Sequence, residues 1–365
     1  MDKRVNRIII YIVLAAMLMP FYFSGCESAG EYQKHARFTS YKDIPGVTQA
    51  EIEAIEALGE QFEYFVYAMP LSTEAFINAS GEFRGFSALF CEWLTELFGI
   101  EFRPVLYEWL NLLDALETGE VSFTGELTQN PARLEIYHMT GVIAMRPLKY
   151  FHLADSRPHA EIIKERPLRC GFIEGTATVN TVTAELEPGT FEIITLSDVS
   201  LVYDALKNGI IDAFYYTGAA EVNFIEFSDM TASYFFPLIY RPVSLTTQND
   251  ALEPIISVMD KALQSGGGNY LIELYNAGYQ EYTRNRLYNQ LTEEEREYIR
   301  NNPVIPVVAI NTNYPISFFN ARENEWQGVF FDLLTEIEAI TGLSFVLVND
   351  EHTDWHDVLG VIKNR

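Results

Sequence analysis

One stretch of this chain occurs twice. Gly85, Gly99 and Phe102 bracket an apolar helical run and the strand after it, and Gly328, Gly342 and Phe345 bracket a similar run at a constant offset of 243 (328 − 85, 342 − 99, 345 − 102). Upstream, Thr48 with Glu51 and Thr292 with Glu295 both read as capping boxes that open a short helix. Downstream, Glu108-Trp109 returns as Asp354-Trp355, and the second copy reaches Arg365 opposite Gly119. A spacing of about 240 residues is several times the roughly 20–50 of a solenoid repeat, so the duplicated unit is a whole domain and the second copy is only begun.

Composition narrows the partners. Hydrophobic residues make up 48% of the 365 positions and aromatic residues 14%, enough for more than one packed core. Acidic side chains number 51 against 25 basic ones, a net charge of −26 that repels phosphate backbones, so nucleic acid is not an expected partner. The carboxylates are scattered without calcium-loop spacing, the pattern of a solvated surface, and no metal or cofactor is expected.

Lys3, Arg4 and Arg7 precede an apolar run over 8–23, short for a membrane span but of the length of an export-signal core. The run ends in Ser24-Gly25-Cys26, which resembles a bacterial lipobox and implies lipidation of Cys26. A plain cleaved signal and an uncleaved anchor stand beside that reading. Cys91 and Cys170 lie in apolar surroundings without a neighbouring cysteine and read as buried free thiols.

Residues 27–61 read as a tether and lead-in helix. From 62 onward short apolar runs alternate with amphipathic ones: strands over 62–69, 101–106 and 121–123, helices over 85–98 and 110–117. The cycle restarts with strands over 168–173, 191–196 and 212–216, a helix near Thr176 and another over 200–208. Alternation of this kind predicts parallel sheets with covering helices, an α/β class in two lobes. Extended segments over 148–153 and 235–243 predict two hinge strands between the lobes, and helices over 254–263 and 270–276 return to the first lobe. The expected units are 1–26 (signal or anchor), 27–61, 62–290 (lobe 1 as 62–148 and 244–290, lobe 2 as 154–236), and a partial second copy over 291–365, poorly packed by itself.

Three segments carry a family resemblance. Phe123-Thr-Gly-Glu-Leu-Thr128-Gln-Asn-Pro-Ala-Arg133 with the following Tyr137 and Thr140, Glu174-Gly175-Thr176, and Leu206-Lys-Asn-Gly209-Ile-Ile-Asp212-Ala213 resemble the signature of the family 3 solute-binding proteins. The tandem arrangement resembles the sensor region of bacterial histidine kinases or diguanylate cyclases. The resemblance implies a two-lobed Venus flytrap fold that traps a small solute and signals or delivers it, with a transporter or a kinase or cyclase as partner, outside the cytoplasm and at a membrane.

Within that resemblance Arg133 stands where an arginine clamps a ligand carboxylate, and its planar fork suits the task. A surface arginine balancing Glu135 is the alternative. Thr128 is placed to donate to the same ligand or to cap the following turn. Glu126 replaces a small polar residue and is read either as a cleft carboxylate for a ligand amine or as one more solvated acid. Trp109 and Phe76 are candidate pocket walls, with core anchoring as the other reading. Gly175-Thr176 would present backbone N–H groups. Thr217, beside Tyr216, falls where the family has the acid that binds an α-ammonium group, which argues against a standard α-amino acid; Asp212 reads as structural.

No catalytic motif is present. His352 and His356 have ligand spacing but lack the glutamate of a metalloprotease. The competing reading on the same fold is a periplasmic-type dehydratase acting on a cyclic carboxylic acid, with Glu126 as general acid.

Overall fold

The computed structural model describes residues 37–353. The readings on the export segment, Cys26, Asp354, Trp355 and His356 lie outside the described residues.

Eleven strands build the two lobes. They are β1 (Tyr64–Met69), β2 (Phe76–Ile77), β3 (Phe83–Arg84), β4 (Glu101–Leu106), β5 (Phe123–Leu127), β6 (His138–Leu153), β7 (Leu168–Ile173), β8 (Phe191–Leu196), β9 (Ala213–Thr217), β10 (Met230–Tyr234) and β11 (Tyr240–Thr247). The main path runs β4-β1-β5-β11-β6-β9-β7-β8, with β10 beside β6. β1 pairs in parallel with β4 and β5, and β7 with β8 and β9, as strand-helix alternation requires. The 16-residue strand β6 joins the two sheets: residues 138–147 pair with β11 in lobe 1, and residues 148–153 pair with β9 and β10 in lobe 2. Together β6 and the segment from β10 into β11 form two crossings.

Lobe 1 is organised by the helix Phe86–Phe98, whose buried Phe86, Phe90, Leu94 and Leu97 recur at helical spacing against Phe65, Phe102 and Phe123 of the sheet. The helix Gly268–Gln290 packs across it through Leu271, Leu274, Gly278 and Tyr282. The sequence pattern ends that helix at 276, short of Gly278. Its absent side chain instead permits the close approach to Phe86 that lets the helix run on. Another shift from the sequence reading is β5, at Phe123–Leu127 instead of 121–123, and the second-lobe helix begins at Thr178. Cys91 and Cys170 are both buried and free.

The repeat is visible in three dimensions. Helix Val329–Thr341 matches Phe86–Phe98 in length, each following a positive-φ glycine (Gly85 at 99°, Gly328 at 122°) and ending at a left-handed one (Gly99, Gly342). A Cβ on Gly85 would meet the Glu74 carbonyl at 2.6 Å, and one on Gly328 the Ile316 carbonyl at 2.5 Å, so the same close approach fixes glycine twice. β12 (Val304–Val307) pairs in parallel with β16 (Ser344–Leu347) as β1 does with β4; between them lie β13 (Thr312–Asn313), β14 (Ser317–Asn320) and β15 (Glu325–Gln327). No residue of helix Val329–Thr341 is fully buried, since two strands cannot cover it; it leans on the Gly268–Gln290 helix, where Arg284 donates to the Ala339 carbonyl at 2.7 Å.

Both capping boxes form, at Thr48 with Glu51 and at Thr292 with Glu295. Glu51 also holds Lys261 at 2.5 Å and Ser257 at 2.7 Å, which fastens the lead-in helix Gln49–Gln61 to lobe 1. Burial works to raise the Glu51 pKa, but Lys261 and the cap hold it down to about 2. A carboxylate depressed on folding stabilises fully above its unfolded value and loses that contribution as pH falls through its folded value. Between pH 5 and pH 2 the wild type is therefore expected to lose on the order of 2 kcal/mol more than Glu51→Gln, measured by urea denaturation across that range. Parallel pH profiles for the two proteins would contradict the assignment.

Candidate ligand-binding cleft

The carboxyl ends of the parallel strands of both lobes face one another. Residues at or just past the ends of β1, β4, β5, β7, β8 and β9 line a cleft of about 390 Å³ that includes Trp109, Glu126, Asp198, Tyr216 and Asn223. Open α/β sheets place ligands at such strand ends. A narrower recess of about 30 Å³ continues from it past Trp109 and Tyr216 to Thr128, Arg133, Thr176, Thr178 and Arg241.

The lobes meet directly around this cleft. The Trp109 indole N–H donates to the Glu174 carbonyl at 3.1 Å, the Thr73 N–H to Ala219 at 2.8 Å, and the Asn223 amide to Leu71 at 3.3 Å. Apolar contact reinforces them, since Trp109, Leu112 and Leu116 share one cluster with Phe151, Ile173 and Phe214. Trp109 thus serves at once as wall and as core.

Two arginines that sequence reading passed over dominate the electrostatics. Arg146 on β6 and Arg241 on β11 stand directly opposite each other in register, both followed by proline. Residues opposite on adjacent strands share a face, and like charges there repel. Arg146, only 2% exposed, is neutralised: it grips Glu74 through two bonds of 2.8 and 2.7 Å and Glu126 at 2.7 Å, while Tyr275 donates to Glu74 at 3.1 Å. Burial opposes its charge, yet Glu126 and Glu74 push its pKa well above the ordinary value. Burial in turn lifts the Glu126 carboxyl above its usual range, with Arg146 pulling the other way.

Arg241, 8% exposed, forms no ion pair among the described residues. Its guanidinium donates to two hydroxyls, Thr128 at 3.1 Å and Thr178 at 3.3 Å, one from each lobe. Arg133 is half-buried, donates to the Thr128 carbonyl at 3.0 Å and does not pair with Glu135. Neither arginine forms an ion pair among the described residues. Burial lowers the pKa of both, and for Arg241 the nearby Arg133 adds to the effect.

The other candidates are dispersed. Thr128, Thr176, Tyr216 and Thr217 line the cleft or its recess. Thr176 closes a turn on Ile173, its N–H at 3.3 Å and its hydroxyl at 2.8 Å, instead of opening the helix. Glu126 faces inward, but Arg146 holds it. Phe76 is a correction: it lies outside the cleft and packs edge-on to Tyr282 at 5.7 Å, because the β2–β3 hairpin turns it toward the Gly268–Gln290 helix. Asp212 is structural, bonded to Arg166 at 2.6 Å and Arg169 at 3.1 Å. A second hollow of about 460 Å³ separates Phe224 and Phe227 of lobe 2 from Tyr282 and Arg286.

No family model and no curated protein matches this chain. Solved structures do. The periplasmic VFT2 domain of BvgS from Bordetella pertussis superposes with a TM-score of 0.52 at 16% identity, over 62% of this chain and 97% of that one. The fold is a Venus flytrap. A double mutant of the BvgS VFT2 domain gives 0.50 at 17% identity over 64% and 99%, and a mutant ArgBP from T. maritima gives 0.47 at 17% over 61% and 99%. About three-fifths of the chain thus superposes on one Venus flytrap domain, and β12 to β16 repeat the opening elements of lobe 1.

In this Venus flytrap the signal for the missed arginines was present in the sequence. Arg146-Pro147 and Arg241-Pro242 mark the two crossing strands at equivalent points. An arginine that must leave water on a hinge strand needs either acids or a ligand.

Proposed function

We propose that residues 62–290 form a solute-binding domain that closes on a small carboxylate-bearing ligand, lobe 1 being 62–148 with 244–290 and lobe 2 being 154–236. One observation carries the reading: Arg133, half-buried, opens into an interlobe cleft with no carboxylate partner among the described residues, although acids outnumber bases two to one in the chain. A guanidinium in that setting is prepared for an anion arriving from solvent. The basic and apolar start of the chain and the tandem copy over 291–365 support an extracytoplasmic, membrane-associated sensor, whose closure is read by a kinase, a cyclase or a transporter.

The dehydratase alternative needs Glu126 to give up a proton freely, and its bond to Arg146 counts against that role. The binding reading is tested on the full chain by thermal melting across a panel of small acids, amino acids and peptides. A ligand at a hundred times its Kd adds about 2.7 kcal/mol of stability, and Arg133→Ala is expected to abolish that shift while leaving the unliganded melting temperature within a few degrees. A ligand whose shift survives Arg133→Ala would refute the assignment.

A further inference from the structure

The recess beyond Trp109 has a charge that its own residues do not balance. Three guanidinium groups, Arg133, Arg146 and Arg241, converge there against two carboxylates, Glu74 and Glu126. Both carboxylates bond to Arg146. The sum is one net positive charge, and the two guanidinium groups without an ion pair among the described residues, Arg133 and Arg241, both anchor on the same residue: Arg133 on the Thr128 carbonyl, Arg241 on the Thr128 hydroxyl. Two forks fixed to one threonine address one small volume, not two ends of a long ligand.

Hydroxyls surround that volume. Thr128 and Thr178 accept from Arg241, which leaves their hydroxyl protons to be given away, Thr217 adds a third hydroxyl, and the one carboxylate of the lining, Glu126, is held by Arg146. The other acids of the cleft, Glu108, Asp198 and Glu226, line the wide chamber and not the recess. A volume of about 30 Å³ admits a small group and no long chain.

Given that the cleft is the binding site, we propose that its ligand carries a compact dianionic head, a phosphate or a malonate-like pair of carboxylates, held between Arg133 and Arg241. Each charge of the head meets one of two guanidinium forks that lack an ion pair, whereas the α-carboxylate of an amino acid meets one and brings an ammonium group for which the recess offers only Glu126, already held by Arg146. Arg241 is the residue that sets this preference, because its bonds to Thr128 and Thr178 reach both lobes.

The experiment is calorimetric titration of the full chain with inorganic phosphate, malonate, acetate and L-alanine. Phosphate or malonate is expected to bind at least tenfold more tightly than acetate or L-alanine, and whichever dianion wins distinguishes a tetrahedral from a planar head. Arg241→Met is expected to weaken the dianion at least tenfold, and its unliganded melting temperature is expected to be equal to or above that of the wild type, since an unpaired buried cation is removed. Acetate binding as well as the dianions, or undiminished dianion binding by Arg241→Met, overturns the proposal. Tight L-alanine binding that depends on Arg133 but not on Arg241 would do so while keeping the cleft as the binding site. Binding indifferent to Arg133→Met and Trp109→Ala alike would remove the cleft as well.

Discussion

Replacing Glu74 with alanine is expected to lower unfolding stability by about 3–5 kcal/mol, the largest effect of any single charge removal in the domain. The side chain is 3% exposed and supplies both oxygens to Arg146, so its loss strips two charge-assisted bonds from a guanidinium that water cannot reach. Tyr275 loses its acceptor in the same step. Glu126→Ala is expected to cost less, about 1–3 kcal/mol, because Glu74 still holds Arg146 in a two-bond grip. Urea denaturation of the two variants gives the comparison. Equal losses, or a larger one at Glu126, would show that Arg146 is not principally neutralised by Glu74.

Gly278→Val is expected to be comparably damaging, about 3 kcal/mol or more. A Cβ at this position would sit 2.2 Å from the backbone nitrogen of Phe86 and 2.6 Å from its Cα. Backbone cannot rotate aside as a side chain can, so the helices Gly268–Gln290 and Phe86–Phe98 must separate and open the contact between Phe86 and Tyr275 (ring centroids 5.4 Å apart). Gly268→Ala in the same helix provides the contrast. Nothing lies within 4 Å of its added Cβ and its φ is already helical at −58°, so it is expected to raise stability by up to about 1 kcal/mol. Opposite signs for the two glycines in one denaturation series are the expected result. Tolerance of valine at 278 would mean that the helix crossing is looser than described.

The α/β class was legible because hydrophobic period changes with element type: helix 86–98 shows its apolar face at three and four residues, and β7 and β9 are short continuous apolar runs. The repeat was legible because turn glycines cannot drift; Gly85 and Gly328 are both pinned by a carbonyl closer than any side chain tolerates. What local patterns hid was made by distant pairing. Arg146 and Arg241 are 95 positions apart (241 − 146) and become neighbours only through the β6–β11 register. Glu74, which neutralises one of them, sits in a loop with no motif around it. Glu126 drew notice for its place in a signature, but the sequence could not show that its partner was already inside the protein. Phe76 misled for the opposite reason, as an aromatic residue near the first strand whose direction is set by a two-residue hairpin.

The Gly268–Gln290 helix has a mechanical consequence. It is about 35 Å long, clasps the first-lobe helix Phe86–Phe98 on one side and supports Val329–Thr341 on the other, so lobe 1 and the start of the second copy share a single beam. Lobe 2 is joined to lobe 1 through two strands and the contacts around the cleft, and faces the beam across a hollow bordered by Phe224, Phe227 and Tyr282. On the proposed closure, rotation about the strands changes the width of that hollow, so the distance between Phe227 and the Gln290 end of the helix follows cleft occupancy.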